Sequence, residues 1–366
     1  MRFLFLNQYF PPDPAPTGIL LRELADDVAA RGHRVGFVSA RAEYRDAQRK
    51  GGRARREMTA LFHMLLAGLR HPRVDVVIAG SSPPCLSFVA GLIACRHRAA
   101  AVHWIMDLYP EIAVALGEIS DGALARNAAR AMGWAYRRAE RVVVLDEDMA
   151  ARVRQYGVEP EIVRPWLFAS VLARPIPVVA PTSPWTWIYS GTLGRAHEWE
   201  TLLAAQAIIE ERDAEVRLLL QGGGPSWPAA RERAAAMGLK RCDWRPYVEE
   251  AELPASLLRA QACAVTQISS TQGCLWPSKL GLVLTLPRPI LWIGPKDGAI
   301  ARELRGLAHA GVFEPGDAAS VAEWLLARKQ RGGTIPREAL ADAPAQRAAA
   351  MAQWHEVFSA LEKSDM

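Results

Sequence analysis

The chain has 366 residues, 50% of them apolar and 23% charged, and contains no low-complexity tract. That profile excludes a disordered or fibrous protein and suits two ordinary globular domains. Five scattered cysteines (Cys85, Cys95, Cys242, Cys263, Cys274) form no C-x-x-C pair, which argues against zinc and dithiol chemistry and fits a reducing compartment. A net charge of +5 admits an anionic partner without choosing one, and no uncharged apolar run reaches the roughly 18 residues of a membrane span.

In chain order, the first strand-like runs are Phe3–Leu6, Val35–Val38, Val74–Ala79, Ala101–Ile105 and Arg141–Leu145. The opening residues read as a strand rather than as a basic, apolar-cored leader. Helical patterns fill the gaps. In residues 18–31, Leu20, Leu21, Leu24, Ala25 and Val28 share one face, and Gly32 is a natural stop. A short run at 162–164 ends at Pro165. Residues 166–184 hold Pro175, Pro177, Pro181 and Pro184 and read as an interdomain connection. Strands restart at 185–189, 215–220, 243–246, 262–267, 290–293 and 312–313. Residues 336–363 read as helical and are expected to pack back across the first domain. The boundaries that follow are a domain at 1–165, a linker at 166–184, a domain at 185–335 and a returning helix at 336–366. Strands alternating with helices give an α/β protein with parallel sheets covered on both sides.

The same opening occurs twice: strand, Gly-bearing loop, amphipathic helix, strand, at residues 2–35 and again at 185–220. A Gly loop at a helix N-terminus presents backbone N–H groups and the positive end of the helix dipole to an anion. Two Rossmann-like units facing each other would form a cleft lined by strand carboxyl ends, where ligands of such folds bind. One long doubly wound domain is the plainer alternative.

Residues 41–56 interrupt the alternation with seven basic side chains (Arg41, Arg45, Arg49, Lys50, Arg53, Arg55, Arg56) against Glu43 and Asp46. An apolar helical pattern follows through Leu61, Phe62, Leu65, Leu66 and Leu69. A basic loop beside such a helix suits an anionic lipid surface; a solvated loop before a core helix fits equally.

Three loops of the second half carry candidate chemistry. Gly191-Thr192-Leu193-Gly194-Arg195, with His197 just inside the following helix, offers amides and a cation for a phosphate. Gln221-Gly222-Gly223-Gly224 permits close backbone approach, or is a tight turn. Gly273 to Leu280 contains Pro277, suited to a first helical turn, which places Ser278 and Lys279 where dipole and ammonium favour a diphosphate. In the first half the candidates are Thr17 and Gly18, and Asp107, which follows an apolar strand and is placed to orient a sugar hydroxyl or leaving group unless it merely caps a turn.

Together, Gln8–Pro12 (QYFPP) with Gly18 and the later RGHRV, the stretch MDLYPEIAVALG from Met106, YSGTLGRAHEWETLL from Tyr189, and PSKL followed by PRPIL resemble, in order, segments of family 4 glycosyltransferases of GT-B fold, above all bacterial enzymes of surface-polysaccharide synthesis. The resemblance implies two Rossmann-like domains facing across a cleft, a nucleotide sugar in the second and an acceptor in the first. It also implies retaining, metal-independent transfer with no cofactor beyond the donor substrate. By position it assigns Gly191, Gly194 and Lys279 to the diphosphate and Tyr247 to the base.

The chain also departs from that pattern. Thr192 and His197 occupy the places of an Arg and a Lys found in many members, and Leu282 stands where a ribose-binding Glu is expected. The leading expectation is a transferase using a donor, UDP-linked for preference, on a lipid-linked or glycan acceptor. Catalysis would rest on Asp107 and Lys279. The substrate contacts would be Thr17, Gly18, Gly191, Thr192, Gly194, Arg195, His197, Gly222, Gly223, Tyr247 and Ser278. The expected place is the cytoplasm or the inner face of the plasma membrane, with residues 41–69 against anionic lipid and no nucleic-acid partner. The competing expectation is an inactive GT-B subunit of a polysaccharide assembly, which Leu282 favours. A GT-B epimerase is weaker, because paired carboxylates and histidines for proton transfer are not evident. A nicotinamide dehydrogenase is disfavoured by the absence of G-x-G-x-x-G after either first strand.

Overall fold

The computed structural model describes residues 1–40, 52–333 and 335–364. Arg41, Arg45, Arg49 and Lys50 of the basic stretch therefore lie outside the described residues. The chain divides into two compact units, one of Met1–Ala169, Gly273–Trp276 and Arg347–Met366, the other of Ser170–Gln272 and Pro277–Gln346. Each is built on a six-stranded parallel sheet, so the fold is α/β.

In the first unit, strands β1 (Arg2–Leu6), β2 (Arg34–Val38), β3 (Val76–Ala79), β4 (Ala100–Trp104), β5 (Arg141–Val144) and β6 (Glu161–Ile162) lie in the order β2-β1-β3-β4-β5-β6. The middle strand β3 is Val-Val-Ile-Ala and wholly buried, as a strand covered on both faces must be. Helix α1 (Pro16–Ala30) starts on a proline that needs no N–H partner and buries Leu20, Leu21, Leu24, Ala25 and Val28. Gly18 cannot be larger, because a Cβ there would lie 2.3 Å from the Tyr9 carbonyl oxygen.

The last helix, α14 (Ala343–Ser364), places Trp354, Val357, Phe358 and Leu361 in the core of this unit. Trp354 meets Trp104 edge to face at 4.9 Å between ring centroids, and Trp166 stacks on Trp104 at 5.4 Å. Trp166 also donates its indole N–H to Glu23 at 2.8 Å. It is thus part of the core, and the division between units falls after Ala169 rather than before Trp166. A proline-rich run is pinned wherever a partner group reaches its backbone.

Residues 273–276 also sit differently from their place in the sequence. The Cys274 carbonyl accepts the Leu108 N–H at 2.8 Å, and Leu275 pairs antiparallel with Asp107. Gly273, at φ +69°, passes so near Asp148 that a Cβ would lie 2.6 Å from its carbonyl oxygen. Those backbone contacts bind the segment to the first unit.

The second unit orders its strands β12-β11-β10-β7-β8-β9: β7 (Trp185–Thr192), β8 (Val216–Gly223), β9 (Cys242–Arg245), β10 (Ala262–Thr266), β11 (Ile290–Ile293) and β12 (Ala310–Phe313). Strands β7 and β8 run three residues further than their apolar stretches suggest, through Thr192 and Gly223. The end of the 166–184 segment is fixed here. Thr182 donates its N–H to the Arg259 carbonyl at 2.9 Å, and Arg288 donates to the Val179 carbonyl at 3.0 Å.

Candidate functional site

In the second sheet the chain leaves β7 toward β8 on one side, while β10 flanks β7 on the other. The carboxyl ends of β7 and β10 are therefore the point where strand order reverses, the usual ligand position in open α/β sheets. Helix α8 (Glu200–Arg212) follows β7, and the connection after β10 leads into the short helix α11 (Lys279–Val283).

Lys279 opens that helix and reaches back over β7. Its ammonium donates a hydrogen bond to the Tyr189 hydroxyl, which in turn donates to the Thr192 carbonyl at 2.9 Å. The side chain crosses Gly191, where a Cβ would lie 3.3 Å from Cε and 3.4 Å from Nζ. Burial pushes the Lys279 pKa down to about 7, so the ammonium is held in surroundings that do not compensate its charge. His197 is beside it, with its ring 6.1 Å from that of Tyr189. Burial first, and the Lys279 charge second, push the His197 pKa down to about 3. The imidazole is neutral, and its Nδ1 accepts the Gly194 N–H at 3.1 Å.

Two expectations change here. His197 precedes the helix rather than lying inside it, since α8 begins at Glu200. The glycine loop is also not an open cradle of amides. Gly194 gives its N–H to His197 and Leu193 gives its own to the Gly223 carbonyl at 2.7 Å. The local ladder and the imidazole take those two donors.

Gly222 and Gly223 end β8 instead of forming a free turn. Gly222 stands opposite Gly191, and a Cβ on it would lie 2.1 Å from the Gly191 carbonyl oxygen. The close approach these glycines permit is to the neighbouring strand. Tyr247, 54% exposed, bonds its hydroxyl to the Thr192 hydroxyl at 2.9 Å and lies along Gly223. Arg195 is exposed on the same loop, and Ser278 is exposed at the start of α11 without a side-chain capping bond. Leu282 is buried within α11, with Leu280 and Val283.

Sequence reasoning missed the scaffold under this site. Buried Gln221 donates to the Ser190 hydroxyl at 3.0 Å and accepts from the Ser256 hydroxyl at 2.6 Å. It ties β7 to β8 one residue before the glycine crossing. A lone polar residue ending the apolar run Leu218-Leu219-Leu220 was the available signal. Tyr189 was passed over as strand core for the same reason, that its ring is apolar and only its hydroxyl acts.

The first unit reverses strand order between β1 and β3. Asn7, after β1, donates to the Tyr9 carbonyl at 2.8 Å and to the Thr17 hydroxyl at 3.5 Å. Ser81, after β3, accepts the N–H groups of Met106 and Asp107 at 3.2 and 2.8 Å. Asp107 is half-buried and held by its backbone on two sides, by Ser81 and by the pairing with Leu275. Glu111, four residues on and first in helix α4 (Glu111–Ala115), accepts the Tyr156 hydroxyl.

Among the described residues no group of three His, Cys, Asp or Glu is placed to hold a metal ion, and no helix is long and apolar enough to cross a membrane. Helix α2 (Arg53–Arg70) buries Ala60 and Met64 but leaves Met58 66% and Phe62 58% exposed.

Residues 17–166 match the glycosyl transferase 4-like domain. Among solved structures, the chain is similar to sucrose-phosphate synthase from Thermosynechococcus elongatus, at 13% identity and a TM-score of 0.70 over 100% of both chains. It is similar to HepE from Anabaena, solved in complex with UDP, at 14% identity and a TM-score of 0.68, covering 98% of this chain and 100% of that one. It is also similar to WaaG, a glycosyltransferase involved in lipopolysaccharide biosynthesis, at 15% identity and a TM-score of 0.62, covering 100% of this chain and 98% of that one. No curated protein matches the sequence.

Proposed function

We propose that this chain, whose residues 17–166 match the glycosyl transferase 4-like domain and whose fold is shared with GT-B glycosyltransferases, moves a sugar from a UDP-linked donor to a lipid-linked or glycan acceptor in surface-polysaccharide synthesis, with retention at the anomeric carbon. The observation that carries this reading is the Lys279 ammonium lying on Gly191 where the second sheet reverses strand order. In the transfer, the bond between the sugar C1 and the diphosphate oxygen breaks, and its electron pair stays on that oxygen. The acceptor hydroxyl oxygen bonds to C1, and its proton passes to the departing diphosphate oxygen. Negative charge grows on the leaving diphosphate, and a fixed cation there stabilises the transition state more than the ground state. In this reading the Lys279 ammonium is that cation and no metal is needed. HepE, similar in fold, was solved with UDP, and with UDP and glucose, which supports a uridine donor. Tyr247 offers the exposed ring for the base.

Calorimetric titration with UDP, GDP and their sugars tests this reading. Saturable binding of a uridine nucleotide is the expected result, and binding of none sinks it. The buried Leu282 favours a second reading, a GT-B subunit without transfer activity. Leucine accepts no hydrogen bond from a ribose, so donor affinity is expected to be weak. Binding without turnover on any acceptor would favour that subunit role.

Asp107 is assigned to the acceptor side. Asp107→Asn keeps the backbone bonds to Ser81 and Leu275 and is expected to lower kcat about tenfold or more while UDP affinity stays unchanged. A normal kcat would reduce Asp107 to a turn residue.

Helix α2, with Met58 and Phe62 exposed beside Arg55 and Arg56, is assigned to an anionic membrane surface. Each such charge adds about 1 kcal/mol near anionic lipid. Arg55→Gln with Arg56→Gln is expected to cut co-sedimentation with phosphatidylserine vesicles roughly tenfold at low salt, and less at high salt. Unchanged co-sedimentation would make α2 a solvated surface helix.

A further inference from the structure

The second unit holds a cavity of about 240 Å³ away from Lys279, on a face of β7, β8 and β9. Alternate residues of a strand share a face, so Arg217 and Leu219 of β8 lie beside Asp243 and Arg245 of β9. Helix α10 (Leu253–Arg259), too short to cover that face fully, adds Ser256 and Arg259 at the wall. Three arginines therefore meet one aspartate. Asp243 is already engaged by Arg217, at 3.3 Å. Arg245 and Arg259 are exposed, and neither guanidinium has a hydrogen-bond or ion-pair partner among the described residues.

The two guanidiniums line one recess and lack a counter-ion among the described residues, so an entering anion can pair with both. Guanidinium forks match phosphate oxygens two at a time. Leu219, 8% exposed, gives the cavity an apolar lining residue, while the Ser256 hydroxyl is already given to Gln221. The cavity is larger than one phosphate needs and is recessed, which suits a small soluble molecule rather than a flat lipid surface. We propose that Arg245, Arg259 and Arg217 form a second anion site, separate from the Lys279 site, that takes a small phosphate-bearing molecule such as a diphosphate or a phosphate ester.

The test is calorimetry with inorganic pyrophosphate on the Lys279→Ala chain, which silences the Lys279 site, and on the same chain carrying Arg245→Gln and Arg259→Gln. Both arginines are exposed, so the variants are expected to fold, which circular dichroism checks. Saturable one-to-one binding is expected in the first protein, weakened at least about tenfold in the second. No saturable binding at low salt, or equal affinity with the arginines removed, overturns the proposal. Citrate bound as tightly as pyrophosphate overturns the phosphate assignment. If the parent and Lys279→Ala chains bind pyrophosphate alike, the Lys279 reading fails while this site stands.

Discussion

Lys279→Ala is expected to raise the Kd for UDP by about 30- to 150-fold, the equivalent of losing ~2–3 kcal/mol of charge-assisted contact. The effect should depend on pH. In the free protein the Lys279 pKa is pushed down to about 7 by burial, yet a diphosphate needs the ammonium. Above pH 7 the protein must take up a proton to bind. Affinity is therefore expected to fall as pH rises, approaching tenfold per unit. Between about pH 7.5 and 9.5 the diphosphate's own charge no longer changes, so the slope there reports the lysine. Lys279→Arg stays charged throughout and should flatten the profile.

The stability consequence has the opposite sign. The folded pKa lies below the ordinary lysine value of 10.5, so between those two values the unfolded chain holds the extra proton. The cost of the buried charge is full below pH 7 and is relieved as pH rises through that window. Lys279→Ala should thus be no less stable than the parent at neutral pH. A Kd for the parent that is independent of pH across this range would remove the ammonium from the site.

Gly222→Ala is expected to cost about 3 kcal/mol or more in stability and to abolish UDP binding. Its Cβ would lie 2.1 Å from the Gly191 carbonyl oxygen, in a backbone at φ +136°. Neither strand can yield without breaking the pairing of β7 with β8, and Gly191 carries Lys279 on its other side. Gly238→Ala is the control: it has a positive φ of +70° but nothing within 4 Å of the added carbon. A left-handed residue without a clash costs only about 1–2 kcal/mol. Equal losses at the two positions would show backbone strain alone, with no strand crossing to protect.

Ten of the twelve described strands match apolar runs read from the chain, because strands buried on both faces of a parallel sheet must be apolar throughout, and an eleventh, the half-exposed edge strand β9, matches a run that carries Asp243 and Arg245. The twelfth, Glu161–Ile162, is the short edge element that the run ending at Pro165 only hinted at. The site was legible by residue type. Lys279 and Ser278 were placed at a helix start, and α11 begins there. What was not legible was the state of those groups. Nothing in the string of letters shows that Gly194 spends its N–H on His197, or that Tyr189 holds the lysine.

The sequence by itself determined the α/β alternation, the two-fold repetition of strand, glycine loop and helix, and the candidate cation, since these rest on local periodicity and residue chemistry. Only the tertiary structure decided where distant segments belong. Trp354, near the C-terminus, completes the core around Trp104, and residues 273–276 bind Asp107 and Leu108 rather than the unit that surrounds them in sequence. It also decided the order of strands in each sheet, and with it the point where β7 and β10 diverge. The physical reason is the same in each case. Local propensity fixes an element from its own few residues, whereas core membership, strand order and a lysine pKa depend on burial beside groups far away in the chain.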